Sequence, residues 1–182
     1  MSGKLTLISS ATASGSANVS FTSGIDSTYD EYIFYFVNLH PGTHAENFTF
    51  QANADGGSGF NETITSTSFE AYHTESDSSA AIGYLSSYDQ ANGTAYQILH
   101  YSVSAGSGMD DNGLVGELHL FSPSSTSKVK HFYCTANTMV GSTQCEVFTS
   151  GYINTTSAID EIDFKMSSGN IDAGTIYLFG VS

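Results

Sequence analysis

The sequence contains no arginine and no tryptophan, and lysine occurs only four times in its 182 residues. Against these four cations stand 18 aspartates and glutamates, which gives a formal net charge of −14. A nucleic-acid surface needs clustered basic side chains to neutralise phosphates, and only Lys128 and Lys130 lie close together. We therefore expect no nucleic-acid partner and no docking on an anionic membrane. An acidic surface poor in lysine suits high salt, where charge repulsion is screened.

Long hydrophobic runs are also missing. No segment approaches the roughly 18–20 consecutive apolar residues of a membrane-spanning helix. Near the N-terminus the apolar stretch is limited to residues 5–8, whose alternation is typical of a strand and not of a cleaved secretory leader. We therefore expect a chain that is made in a cytosol and has no membrane-spanning segment.

Aromatic residues, in contrast, are plentiful, with 11 Tyr and 12 Phe distributed along the chain. The most apolar run spans residues 32–37 (YIFYFV) and consists of aromatic and β-branched residues. These residue types favour a strand, and the lack of alternation predicts that this strand is buried on both faces. The longer stretch from Phe21 to Pro41 contains the run between two turn signals.

Short apolar runs of this kind recur about every 8–14 residues between clusters of Gly, Ser, Asn and Asp, with no helical period. The spacing predicts an all-β protein. At this length we expect one domain covering residues 1–182, a jelly-roll-like antiparallel β-sandwich of about 8–12 strands. Residues 128–136 and 144–152 are predicted to form the two arms of a hairpin.

The two cysteines lie on those predicted arms. If residues 137–143 form the hairpin loop, Cys134 lies opposite Cys145 at a separation that allows a disulfide. The alternative is that both are reduced and buried as small hydrophobic residues, as is usual in a protein made in a cytosol. The sequence contains no CxxC motif, so a redox or zinc function is not indicated.

The histidines offer two candidate sites. His40 and His44 flank a proline in a loop, and a metal pair with Glu46 nearby is one hypothesis, although four-residue spacing outside a helix does not bring two imidazoles together. Glu117 and His119 share a face of one predicted strand, with His131 on a neighbouring strand. Such a group is either an acid/base pair or a polar pair on a surface or interface.

Carboxylates cluster in three places, and Asp, Asn and Gly together can supply the oxygen ligands of calcium. The alternative is that they are solvated loop residues. We expect Asp26 and Asp160 to accept backbone hydrogen bonds in equivalent turns, since Gly24-Ile25-Asp26 and Ala158-Ile159-Asp160 are similar. The clusters are Asp26/Asp30/Glu31, Asp110/Asp111 within the loop 107–113, and Asp160/Glu161/Asp163.

Several stretches resemble a group of small virion proteins encoded by tailed phages of marine bacteria. The resemblance implies a jelly-roll protein that decorates a capsid or belongs to a tail fibre, and decoration proteins of this kind typically form trimers. It supplies no catalytic residues. The stretches are 21–41 (FTSGIDSTYDEYIFYFVNLHP), 47–58 (NFTFQANADGGS), 116–131 (GELHLFSPSSTSKVKH), 151–164 (GYINTTSAIDEIDF) and 166–181 (MSSGNIDAGTIYLFGV).

The sequence and the resemblance together predict a bacteriophage virion protein, a capsid decoration or cement protein that binds the major capsid protein and stabilises the shell. We expect a homotrimer on the outer capsid surface, assembled in the host cytoplasm, and no enzyme. We assign no catalytic, cofactor-binding or metal-binding residues. The N-terminal strand and the loops bearing Lys128 and Lys130 are the expected contacts with the shell. The alternative is a tail-fibre or receptor-binding module that recognises host glycans through loop Tyr, Asn and Asp residues.

Overall fold

The structure is a computed structural model and describes residues 3–105 and 112–182. Two antiparallel sheets form a β-sandwich, which confirms the predicted fold class. Within the described residues no helix is long and apolar enough to cross a membrane, and the one helical turn is a 3₁₀ turn at Ser86–Tyr88. The strands are β1 (Leu5–Thr12), β2 (Val19–Phe21), β3 (Glu31–Pro41), β4 (Glu46–Ala54), β5 (Ile64–Thr74), β6 (Ala80–Tyr84), β7 (Ala91–Gly93), β8 (Gln97–Val103), β9 (Leu114–Phe121), β10 (Lys130–Val140), β11 (Thr143–Ile153), β12 (Ile159–Met166) and β13 (Ile171–Val181).

Eight of these strands form a jelly-roll frame. The order β1-β13-β3-β9 in one sheet and β2-β12-β4-β8 in the other is that of two interlocked Greek keys. Along the chain, consecutive strands of this frame lie in opposite sheets, except β4 and β8, which pair with each other in the second sheet. The first and last strands are neighbours, with backbone hydrogen bonds joining Lys4 to Ser182 in both directions.

The remaining strands extend one sheet of the frame. The hairpin β10-β11 is inserted between β9 and β12, and β5, β6 and β7 are inserted between β4 and β8. Together they continue the first sheet as β9-β10-β11-β5-β6, with β7 also paired to β5, to give nine strands. We call the inserted strands β5, β6, β7, β10 and β11 the extension. The predicted hairpin arms correspond to β10 and β11.

The core lies between the two sheets because one side of each strand is apolar. On β3 the inward positions are Tyr32, Phe34 and Phe36, each at most 2% exposed. The ring of Phe164 on β12 lies opposite them, with its centroid 5.3 Å from those of both Phe34 and Phe36. It also stacks on Phe48 of β4 at 5.8 Å. Rings from both sheets therefore meet around Phe164.

Two buried glutamines hold the segments before and after β7 against the sheets. The Nε2 of Gln51 donates to the carbonyl oxygens of Glu62, Thr94 and Ala95, at 3.0–3.2 Å. Gln97 Nε2 donates to the Tyr88 carbonyl at 2.9 Å, and its Oε1 accepts from the Ser66 hydroxyl at 2.6 Å. Both amides are fully buried, so these bonds offset the cost of removing them from water.

The prediction that β3 is buried on both faces is correct for one face only. Its inward positions are buried, but on the opposite side only Ile33 is buried, at 5% exposed, whereas Tyr35 is half-buried and Val37 is 41% exposed. No other layer of the described chain covers that side, because the second sheet packs only on the inner face. Apolar residues at every position of a strand therefore do not require two covering layers.

The hypothesis that Cys134 lies opposite Cys145 is wrong, and the alternative of two free, buried cysteines is confirmed. The hairpin turn is the two-residue Gly141-Ser142, so Cys134 pairs with Thr149 and Cys145 with Thr138. The two cysteines share a face but are displaced by four positions, about 13 Å along the strands. A disulfide requires Cα atoms within about 7 Å, and both cysteines are free and buried. Burial raises the pKa of the Cys134 thiol and, with Glu70 nearby, that of Cys145 to about 11.

The aromatic core predicts a large loss of stability when Phe164 is truncated. Phe164→Ala should lower the free energy of unfolding by about 3–5 kcal/mol, because it removes a buried ring and leaves a cavity between the sheets. Urea denaturation followed by circular dichroism measures the change. Ile82→Ala is the matched control: its side chain is 78% exposed, and the expected change is within about 0.5 kcal/mol. Equal effects of the two variants would contradict the assigned core.

The register of β10 and β11 predicts two unreactive thiols. In the native protein at pH 8, iodoacetamide should leave both Cys134 and Cys145 unmodified, because both are buried and their thiols stay protonated. After unfolding in guanidinium without reductant, both should be alkylated, and mass spectrometry measures the mass added. An unfolded protein that gains no alkyl group would indicate a disulfide and a different register.

Candidate functional site

The outer face of the nine-stranded sheet, defined as the side turned away from the second sheet, carries the exposed apolar side chains. Residues directly paired in an antiparallel sheet project to the same side. One such row crosses the sheet through Leu7, Phe179, Ile33, His119 and Tyr133. The exposed large hydrophobic residues of the described chain all lie on this face: Leu5, Leu7, Val37, Phe69, Ile82, Tyr84 and Tyr133. Exposed apolar side chains gathered on one face make that face a candidate interaction surface.

His119 lies at the centre of the outer face, on β9. Its Nδ1 donates a hydrogen bond of 2.6 Å to Glu31 Oε1 on β3. Its Nε2 is 3.2 Å from Glu117 Oε1, but without hydrogen-bond geometry, so Glu31 is the partner that orients the ring. The imidazole stacks on Tyr133, with centroids 4.3 Å apart and planes inclined by 14°. The pair therefore fixes the orientation of the Tyr133 ring.

A groove with a volume of about 500 Å³ crosses the outer face where the frame meets the extension. Aromatic rings and small hydroxyl side chains line it together, and backbone atoms of the strands complete it. A smaller depression of about 200 Å³ adjoins it and shares Tyr133 and Ser150. The outward-facing side chains of the groove are Phe121 of β9, His131 and Tyr133 of β10, Ser150 and Tyr152 of β11, and Thr65 and Thr67 of β5.

The rings that line the groove are held by their neighbours. Tyr133 contacts Phe121 with centroids 5.8 Å apart, in addition to its stacking on His119. On the other side, His131 packs against Tyr152 at 5.9 Å in an edge-to-face arrangement. Each ring therefore has a partner on the adjacent strand, and the shape of the groove is largely set before any ligand binds.

The carboxylates of Glu31 and Glu117 lie near the groove but do not line it. Burial raises the pKa of the Tyr133 hydroxyl, and the charges of Glu117 and Glu31 raise it further. The same carboxylates raise the pKa of Tyr35 on β3, again after burial as the main cause. Both phenols therefore remain protonated at neutral pH and can donate hydrogen bonds. No Asp, Glu, Lys or Arg is among the residues that line the groove.

A second group of titratable side chains lies beneath the extension. The thiol of Cys145 lies 3.2 Å from the Tyr101 hydroxyl, which donates a short hydrogen bond to Glu70. His100 is fully buried, with Nδ1 2.7 Å from the Tyr101 carbonyl and Nε2 3.2 Å from that of Cys145. Burial lowers the pKa of His100. These groups bond to one another inside the sandwich and stabilise the extension.

The two hypotheses about the histidines have different outcomes in the structure. Glu117 and His119 do share a face, and Glu31, which sequence spacing did not link to them, is the closest partner of the imidazole. His131 packs on Tyr152 and does not join this pair. His44 Nδ1 accepts a hydrogen bond from the Ala105 amide at 3.2 Å. No group of three or more potential metal ligands gathers in residues 3–105 and 112–182.

The carboxylates have separate environments. Asp26 accepts a hydrogen bond from the Thr28 amide at 2.7 Å, as predicted for a turn. Hydrogen bonds from the Thr28 side chain and then from its amide lower the pKa of Asp26. The matching prediction for Asp160 is wrong: it lies within β12, and its Oδ1 is buried without a partner. Asp163 accepts from Asn18, Ser20 and Tyr96, which makes it structural. Asp110 and Asp111 lie outside the described residues.

Lys130 is not available for the contact predicted with a capsid shell. Its side chain is fully buried, and its Nζ donates to the carbonyl oxygens of Lys128 at 2.9 Å and Thr155 at 3.2 Å. Burial lowers its pKa. Lys128 itself is exposed, so of this pair only Lys128 can meet a partner.

The outer face was not identified from the sequence. The available signal was the presence of apolar or aromatic residues at both parities of β3 and β13, as in Tyr177 and Phe179 beside Leu178. Such a pattern predicts apolar faces on both sides of a sheet. Only the pairing of eight distant strands brings those residues into one surface, and sequence spacing does not give that order.

Comparison with known proteins leaves the chain without a family. No protein-family model matches the sequence, and no curated protein matches it significantly. A crystal structure of unknown function from Bacteroides ovatus shares 7% identity, with a TM-score of 0.30, over 56% of this chain and 45% of that one. A legume lectin-like domain from Entamoeba histolytica shares 11% identity, with a TM-score of 0.24, over 94% and 87%. A structure of the infectious bursal disease virus Gx strain shares 9% identity, with a TM-score of 0.19, over 99% of this chain and 39% of that one. Likenesses this low say nothing about function.

The environment of Asp160 predicts a stability change that depends on pH. Burial and the charges of Asp55 and Glu161 raise its pKa above the ordinary value of 3.8. The folded state therefore binds this proton more tightly than the unfolded chain, and that stabilisation is lost as pH rises through the raised pKa. Asp160→Asn should raise the melting temperature at pH 7, by at most about 3 °C because water screens the group. At pH 3 the melting temperature should not change. Calorimetry at both pH values is the measurement, and a rise of equal size at both would contradict the explanation.

Proposed function

We propose that this chain is a bacteriophage virion protein, a decoration or cement protein that binds the major capsid protein on the outside of the shell. The resemblance of five stretches to small phage virion proteins supports the proposal. It acts by binding: each copy buries surface across neighbouring shell subunits, and this stabilises the assembled particle by mass action. The homotrimer implied by the resemblance is part of the proposal.

The observation that carries the proposal is the exposed pair of leucines on β1. Among the described strands, β1 is the edge of the nine-stranded sheet and pairs only with β13. Leu5 is 47% and Leu7 54% exposed, and both project from the outer face. An edge strand with unpaired backbone groups and exposed leucines is a template for contact with another chain. The N-terminal strand was also the contact expected from the sequence.

The location on the particle separates the proposal from its alternative, a tail-fibre or receptor-binding module. Electron microscopy of the purified particle, with mass-spectrometric counting of copies, distinguishes the two. We expect hundreds of copies spread over the shell. A few dozen copies confined to the tail would refute the decoration proposal. Native mass spectrometry of the free protein measures whether it is a trimer.

Variants of β1 test the contact itself. Leu5→Lys combined with Leu7→Lys should lower the affinity for shells assembled without the protein by about tenfold or more, because two apolar contacts are lost. Co-sedimentation with such shells measures the bound fraction. Ile82→Lys is the matched control, since Ile82 is exposed on the same face at the opposite edge. Its binding should equal that of the unchanged protein, and equal losses in both variants would contradict a contact through β1.

A further inference from the structure

The groove on the outer face has the chemistry of a carbohydrate site and does not depend on β1 or on where the protein lies in a particle. Its volume of about 500 Å³ lies in the range of small-molecule sites. It is open along the sheet, and Tyr133 and Ser150 continue it into the adjoining depression. An elongated ligand therefore fits it better than a compact one.

The walls of the groove suit the apolar face of a sugar ring. Tyr133 is 39% exposed and is held in place by its stack on His119, which Glu31 orients in turn. Tyr152 lies across the groove and is held by its contact with His131. Rigid, amphipathic rings of this kind offer a large contact area and lose little conformational freedom on binding.

Hydroxyl groups lie between these rings. Ser150 and Thr67 are directly paired residues of β11 and β5, and Thr65 pairs with Tyr152 in the same way. Ser150 and Thr67 are both exposed. A hydroxyl both donates and accepts, as does each hydroxyl of a sugar, so the two sets match in hydrogen-bonding capacity. The phenols of Tyr133 and Tyr152 add further polar ends beside the rings.

The charge around the groove selects a neutral ligand. No acidic or basic side chain lines it, apart from the imidazole of His131. Glu31 and Glu117 lie just beyond Tyr133 and act on its hydroxyl, and the whole chain carries a formal charge of −14. Sulfate, phosphate or uronate groups would be repelled at this position, and no basic side chain is present to bind them.

We propose that this groove binds a short neutral oligosaccharide, with one pyranose ring stacked on Tyr133 and its hydroxyls bonded to Thr67 and Ser150. This proposed ligand is a small molecule, whereas the partner proposed for β1 is a capsid subunit. The site also differs from the glycan site expected from the sequence, because it lies on the face of a sheet and not in loops.

Titration of the isolated protein with a panel of neutral trisaccharides tests the proposal. The panel contains maltotriose, cellotriose, laminaritriose and triacetylchitotriose, with trigalacturonate and a sulfated trisaccharide as anionic probes. Chemical-shift changes in NMR spectra report binding. We expect at least one neutral member to bind and to shift signals of β5, β10 and β11, with at least tenfold weaker binding of the anionic probes. Absence of binding by every neutral member at millimolar concentration would overturn the proposal, as would a preference for an anionic probe.

Substitutions at Tyr133 locate the site. Tyr133→Ala should weaken binding of the neutral ligand at least tenfold, whereas Tyr133→Phe keeps the ring and should stay within about threefold of the unchanged protein. Ile82→Ala is the matched control, because Ile82 is 78% exposed on the same face but outside the groove. Thermal melting checks that each variant is folded. Equal losses in the two alanine variants would refute the assignment, as would concentration-dependent self-association that covers Tyr133.

Discussion

Contact between aromatic rings across the sandwich is the interaction on which the rest of the structure depends. Phe164 projects from the smaller sheet against Phe34 and Phe36 of the larger one. The pairs Phe21–Phe34, Phe36–Phe48 and Phe50–Phe132 also join the two sheets. Because a packed core hardly deforms, these rings fix the distance and angle between the sheets. The inward side chains of β3 and β9 are thereby held in place. The outward side chains are attached to the same backbone, so their positions are fixed as well.

The extension is attached by different means. Buried polar groups add to the apolar packing there: Gln51, Gln97 and the ammonium of Lys130 each donate to at least two backbone carbonyls. Such bonds depend on direction, so each amide accepts only one arrangement of the surrounding chain. This explains why a large sheet with little apolar packing under its outer strands can still present an ordered surface.

Local patterns in the sequence were enough to predict the class of fold, the hairpin of β10 and β11, and the turn at Asp26. Features that depend on register were not predicted. The disulfide failed because the position of a two-residue turn, Gly141-Ser142, decides which residue faces Cys134. The link between His119 and Glu31 joins residues 88 positions apart, and no spacing rule covers such a pair. Lys130 was mistaken for a surface residue because one of its two carbonyl partners, that of Thr155, comes from a distant loop.

The position of the extension within the chain has a consequence for how such proteins diversify. Its strands are two insertions into a frame that is closed without them, and three of the four strands that line the groove belong to these insertions. Their outward side chains do not contribute to the ring cluster that holds the sandwich together. Substitutions or length changes there can therefore accumulate at little cost to stability. One frame can in this way carry many different recognition surfaces, as antibody domains do with their loops.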